Sequence, residues 1–307
     1  MQPQDKPQGQ ERRSGMGKVI YFVIIALLCA VMFFSLYKII TISLEYRTGD
    51  VEYNDIVDSF VEDYSTIVIP NRKGPAETET TATVDTELSV STDADTDNTS
   101  QTAPDTQESA APPSEEDVLV IPSVNSAYLK KVNPDYKGWL YVDGIVINYP
   151  VVQCADNDYY LDHTFYGQNN SNGCLFIDYR LDLSEDNYNT IIYGHAMKTG
   201  AMFGLLLRYA WPGFFEQNQH IVYVTEDGPY LVTVFSAYTV STDSDAWRIR
   251  FDDEEDYGGW LRAIKSASEV RCSVTPTTSD RIMTFSTCSF KFDDARFVVH
   301  GIIEPLF

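Results

Sequence analysis

Hydrophobic positions along the chain fall into three regimes. Residues 19–37, VIYFVIIALLCAVMFFSLY, carry no charged side chain, and as a helix such a run covers roughly 28 Å, close to the thickness of a bilayer core. A transmembrane segment is predicted. A cleavable signal would have a shorter apolar stretch ending in a small-residue cleavage site, whereas Lys38 and IITISLEYR follow here. A retained signal anchor over 19–44, behind a tail of residues 1–18, is therefore expected. Val51, Ile56, Val57, Phe60, Val61 and Tyr64 then recur at helical spacing, which predicts a short membrane-proximal amphipathic helix within 45–70.

In the second regime, residues 71–117, large apolar side chains almost vanish and Thr, Asp, Ser, Glu, Ala and Pro take their place. Such a segment cannot bury enough surface to offset its conformational entropy, so a disordered Thr/Asp-rich linker is expected. The third regime, 118–307, alternates short apolar runs with Gly, Asn, Asp and Pro. Strands are predicted at 139–142, 145–152, 174–177, 190–193, 221–225, 230–239, 281–286 and 297–303, and helices at 123–132, 201–207 and 254–267. In the last helix Trp260, Leu261 and Ile264 share a face beneath an acidic first turn. Many short strands in one core imply a mainly β domain, a sandwich or a barrel, with helices at its periphery.

The formal net charge of -23 excludes nucleic acid as a partner, because phosphate binding needs clustered Lys and Arg. Charge also bears on orientation. Arg12, Arg13 and Lys18 precede the span and Lys38 and Arg47 follow it, a modest positive-inside signal, but the acidic bulk downstream favours a cytoplasmic N-terminus and an extracellular folded domain. The cysteines are Cys29, Cys154, Cys174, Cys272 and Cys288, with no CxxC pair. Neither a zinc site nor a dense disulfide framework is indicated, and no cofactor or metal is expected.

Two segments carry candidate chemistry. In NTIIYGHAMKTGAMFG the strand predicted to end at Tyr193 is followed by Gly194 and His195, so this histidine emerges at a strand terminus, where functional groups reach solvent. In IMTFSTCSFKFDDARFVVHG, Cys288 ends one strand and Arg296 opens the next across a polar turn, which a hairpin brings together. A thiol is mostly protonated at neutral pH, and a nearby cation raises its thiolate fraction. Arg296 can also donate to an oxyanion. Each residue alone has a bland alternative: a surface or hydrogen-bonded histidine, a buried structural cysteine, a surface arginine. Ser286 and Thr287 beside the thiol are substrate-groove candidates or strand-packing residues. His300 reads as structural, and His163 and His220 have no partner visible in sequence.

Together these segments resemble the sortases of Gram-positive cell walls. The family's T-L-x-T-C motif matches Thr284, Phe285, Ser286, Thr287 and Cys288, with Phe in place of Leu and the Ser that the class B form carries before the second Thr. Its histidine motif resembles Tyr193, Gly194, His195, Ala196 and Met197 followed by Met202, Phe203 and Gly204, and its arginine matches Arg296. The run from Gly138 to Arg180 also resembles class B, and 254–267 falls where class B members have an extra helix, between the sixth and seventh strands. The long Thr/Asp-rich segment is a departure from that class. The resemblance implies a closed eight-stranded barrel over 118–307 and a cysteine transpeptidase with Cys288 as nucleophile, His195 as general acid/base and Arg296 as oxyanion donor. It implies cleavage after Thr of a C-terminal sorting signal on another exported protein, and transfer to a peptidoglycan cross-bridge amine or a pilin lysine. An anchored cysteine peptidase acting on peptidoglycan and a noncatalytic surface-binding barrel are the other readings; in such peptidases the Cys usually precedes the His, the reverse of the order here.

Overall fold

The apolar run lies inside a helix much longer than itself. The computed structural model describes residues 12–69, 117–289 and 291–307. Its first element, α1, spans Arg12–Phe60, 49 residues. Every side chain from 17 to 40 stands exposed, apolar on all sides with no protein packed against it, which makes this half of α1 a candidate membrane anchor. Further along, burial becomes one-sided: Tyr53, Ile56 and Phe60 enter the main core. The span and the membrane-proximal helix are therefore one continuous rod.

The expected helix over 45–70 is corrected in its last part. After Phe60 the chain forms β1, Val61–Ile69, antiparallel to β2, Asp117–Val124. Val61, Thr66, Ile67, Val68 and Ile69 are β-branched and suit a strand, but the partner DVLVIPSV lies on the far side of the acidic segment, where local periodicity cannot reveal it. The linker expected over 71–117 lies, apart from Asp117, outside the described residues. Its flanks are not: Ile69 and Asp117 are strand partners, so the chain leaves and returns at one place. The described ends of the segment are therefore neighbours in one hairpin, and α1 reaches the rest of the fold through β1 without crossing it.

Asn125 caps α2, Ser126–Val132, by accepting from the Tyr128 amide at 3.1 Å; residues 123–124, expected to be helical, finish β2. Eight further strands follow: β3 (Tyr136–Tyr141), β4 (Asn148–Val152), β5 (Leu175–Ile177), β6 (Asn189–Tyr193), β7 (His220–Thr225), β8 (Gly228–Ser241), β9 (Arg281–Cys288) and β10 (Ala295–Pro305). They close a barrel in the order β10-β8-β7-β3-β4-β5-β6-β9. Each overlaps a strand predicted from its apolar pattern. Only β4–β5 and β6–β9 are parallel pairs, and the second decides the site, because the C-terminal ends of β6 and β9 share one rim.

Helices cover the outside. α3, Pro212–Gln217, opens on a proline at its first position and was not anticipated. The helix expected at 201–207 forms only at its end, where Leu206–Ala210 makes a short 3-10 helix; before it Gly200 (φ 92°) and Met202 (φ 52°) turn the chain left-handed. α4, Glu254–Ser266, is capped by Asp253 and buries Trp260, Leu261 and Ile264 against Tyr238, Val298 and Ile302. Their strand neighbours Phe297 and Val299 point the other way into the main core, the alternation expected of a strand packed on both faces.

Candidate active site

Strand register brings the three candidates together. β6 and β9 run parallel with Tyr193 opposite Ser286, so two residues further on His195 and Cys288 leave the sheet at the same rim. β9 and β10 run antiparallel with Cys288 opposite Arg296. The order across the rim is therefore histidine, cysteine, arginine. All three line one cleft of about 310 Å³ together with Leu161, Phe176 and Thr287.

Gly194 is required where it stands, since a Cβ there would lie 2.4 Å from Leu175 Cδ2 and 2.8 Å from Phe203 Cδ2. His195 follows, its carbonyl accepting from the Phe203 amide at 2.9 Å, so the loop folds back on itself and holds the backbone of the histidine. The ring is held too: Nε2 lies 2.6 Å from the Leu161 carbonyl oxygen. A carbonyl only accepts, so Nε2 carries a hydrogen, and Nδ1 is the nitrogen left to exchange a proton.

The connection after Cys288 is a short turn. Ser289 donates its amide to the Ala295 carbonyl at 2.9 Å, Asp294 takes a left-handed φ of 59°, and Lys291 is anchored to Glu269 at 2.6 Å. Burial pulls the Glu269 carboxyl up, but the ammonium and the Thr239 amide outweigh it and hold it below its ordinary range. Arg296 then enters the cleft, with Nη1 donating to its neighbour Ala295 O at 3.2 Å. Among the described residues no carboxylate pairs with it. The groove candidates do line the cleft, and their hydroxyls are committed: Thr287 donates to Gly194 O at 2.7 Å, and Ser286 accepts from Trp247 Nε1 at 3.0 Å.

A second hollow of about 550 Å³ continues from the first, sharing Tyr193, Ser286 and Arg296 and adding Arg180, Asp245, Trp247 and Arg248. Fully buried Asp178 organises its wall. It accepts from Arg180 Nη2 at 2.7 Å and from the Tyr193 hydroxyl at 2.9 Å. Burial pulls this carboxyl up, but those donors together hold it below its ordinary range. The 242–248 part of the hollow's lining is pinned by Trp260 Nε1 to Asp245 O at 2.8 Å and by Asn189 Nδ2 to Arg248 O at 2.9 Å. Sequence reading missed Leu161, Asp178, Arg180, Tyr193 and Trp247 as parts of the site. An aspartate directly after a predicted strand and two residues before an arginine was a usable signal for one pair; nothing local points to a backbone carbonyl or to Trp247.

The other histidines lie elsewhere. His163 stacks on Tyr159 with centroids 4.1 Å apart, and His220 opens β7. His300 is fully buried, 2.8 Å from Thr284 Oγ1 and 3.2 Å from the Tyr238 hydroxyl. Thr284 spends its one hydrogen on Asn189 Oδ1, so it accepts from Nδ1 of His300, and Nε2 accepts from Tyr238. Burial pushes the pKa of this ring down to about 3.

Comparison with known proteins agrees with this geometry. A model of the sortase domain matches residues 140–304. Sortase B of Staphylococcus aureus is 36% identical over 166 residues, 54% of this chain and 68% of the relative. Sortase B of Listeria monocytogenes is 35% identical over 175 residues, 56% of this chain and 71% of the relative. Among solved structures, a substrate complex of the S. aureus enzyme superposes with a TM-score of 0.57 at 35% identity, covering 59% of this chain and 85% of that one. Clostridium perfringens sortase B gives 0.56 at 32% identity, covering 58% and 98%. With the barrel, the rim and these likenesses in agreement, the chain belongs to the sortase family of cysteine transpeptidases, in its class B-like branch.

Proposed function

We propose that this protein cleaves a C-terminal sorting signal after threonine and transfers the new carboxyl end to a cell-wall amine. The observation that carries the reading is the single cleft shared by Cys288, His195 and Arg296 at the ends of three adjacent strands. The Cys288 thiol passes its proton to His195 Nδ1, and the resulting Sγ thiolate attacks the threonine carbonyl carbon. Charge gathers on the carbonyl oxygen, where the Arg296 guanidinium donates to it. Collapse of the intermediate breaks the C–N bond, His195 protonates the departing amine, and a thioester remains. An incoming amine loses its proton to His195 and attacks the same carbon, and the C–S bond breaks to return the thiolate. The acceptor is a peptidoglycan cross-bridge group, or a lysine of a pilin. Two hollows joined at Tyr193, Ser286 and Arg296 suit an extended peptide crossing the nucleophile.

The apolar half of α1 anchors the enzyme in the cell membrane in a single pass, with the N-terminus in the cytoplasm and the barrel outside. The N-terminal flank holds Arg12, Arg13 and Lys18 against Lys38 and Arg47 beyond the span, a bias of basic residues that supports that orientation.

Incubation of the protein with a panel of sorting-signal peptides, with and without a small amine, tests the reading. The expected result is a peptide–amine product with the parent and none with Cys288→Ala at unchanged thermal stability. Normal transfer by that variant removes the nucleophile assignment, and hydrolysis of wall peptides without amine transfer favours the peptidase reading.

A further inference from the structure

We infer that the part of α1 just beyond the apolar run, Glu45–Tyr53, positions His195 through the loop between Asp158 and Gly173. The inference rests on the acid/base role proposed for His195, and makes Tyr53 a positioning residue for it.

The contact is built at close range. Gly49 sits against the loop where a Cβ would lie 2.5 Å from Asn172 Nδ2 and 2.8 Å from Asn170 Oδ1. Around it Asn170 Nδ2 donates to Glu45 O at 3.0 Å, the Ser171 amide to Glu45 Oε1 at 3.0 Å, and Asn172 Nδ2 to Asp50 Oδ1 at 3.1 Å. One turn further, the buried Tyr53 hydroxyl donates to Gly173 O at 2.5 Å. Gly173 has a φ of 61°, and a Cβ on it would stand 2.5 Å from Tyr160 O and 2.9 Å from Leu161 O. Cys174 donates its amide to Tyr160 O at 2.9 Å, and Asn170 donates its own to Asp162 O at 2.8 Å, so the two ends of the loop move together. The Leu161 carbonyl is the one that holds His195 Nε2. From the Tyr53 hydroxyl the contact runs through the Gly173–Cys174 peptide, which donates to Tyr160 O, to the adjoining carbonyl of Leu161 and so to the histidine ring. A helix leaving the apolar run therefore sets the carbonyl that orients the ring and selects its tautomer.

The test uses the full chain in lipid nanodiscs with ¹⁵N-labelled histidine, the His195 resonances being identified by their loss in His195→Gln. Two variants disturb the contact. Gly49→Leu blocks docking by volume, and Tyr53→Phe removes one oxygen. The parent should show His195 with hydrogen held on Nε2. In Gly49→Leu the ring nitrogens should move toward a mixture of tautomers, and kcat for peptide cleavage should fall about tenfold at unchanged KM, as expected for a misplaced catalytic group; Tyr53→Phe should do the same more weakly. A parental His195 spectrum and kcat in both variants overturns the inference. If Gly49→Leu fails to fold, Tyr53→Phe decides alone by the same criterion. The spectrum is recorded without substrate, so an active His195→Gln would defeat the acid/base role while the spectrum still judges the positioning.

Discussion

Arg296 separates charge from geometry at the level of one side chain. Its guanidinium is unpaired with any carboxylate among the described residues and stands opposite Cys288 across one strand pair. A lysine there would keep the charge but replace a rigid fork of donors with a point charge on a flexible stem. Arg296→Lys should therefore lose on the order of a hundredfold in kcat, in line with about 2.7–4 kcal/mol per oxyanion donor, with thermal stability unchanged. Near-parental turnover would move the oxyanion donors to the backbone around Cys288. His300 makes a prediction of a different kind. Its folded pKa of about 3 lies below the unfolded value near 6.5, so below pH 6.5 the unfolded chain takes up a proton that the folded one refuses. Stability is fully present above that pH and falls by about 1.4 kcal/mol per pH unit as acid is added toward the folded pKa. Urea unfolding from pH 7 to 4.5 should show a shallower decline in His300→Gln than in the parent; equal slopes would show that the buried ring does not drive acid loss. The candidate residues were legible because Cys288 and Arg296 flank one turn and His195 ends an apolar strand. The Leu161 carbonyl was not, because a backbone oxygen has no residue type to read.

Elements divide along the same line. Barrel strands announce themselves because burial on both faces demands apolar runs broken by turn residues, and the acidic first turn and apolar face of α4 are equally local. β1 and β2 do not, since their pairing depends on a partner beyond residues 70–116. That pairing carries its own prediction. With Ile69 opposite Asp117, a short Asn-Gly turn can replace 70–116 and still close the hairpin. Shortening the loop lowers its closure cost by about 3 kcal/mol. The deletion variant should melt at a slightly higher temperature than the parent and cleave sorting peptide at an unchanged rate. A lower melting temperature would mean that the acidic segment itself packs on the folded unit.

At the scale of the molecule, the end of α1 and the barrel share one core. Tyr53, Ile56, Phe60 and Ile69 lie in the same core as Trp139 and Phe285, so a chain starting at Val118 gives up an aromatic and aliphatic wall of its domain. At about 1.5–3 kcal/mol for each large apolar side chain buried, an upper bound, that loss is comparable with a typical net stability. Residues 118–307 alone should unfold at a markedly lower temperature than residues 45–307, as followed by circular dichroism; equal melting curves would show that α1 and β1 are dispensable. By itself the amino-acid order determined the long apolar run, the barrel strands and the residue types at the rim, because each follows from the spacing of apolar side chains or from the chemistry of a single group. Tertiary structure alone decided that His195, Cys288 and Arg296 share a cleft, that the two ends of the acidic segment are strand partners, and that the helix leaving the apolar run docks beside the loop that holds the His195 ring. Those outcomes depend on strand register and on contacts between residues more than a hundred positions apart, and no local pattern encodes which distant segment will supply the partner.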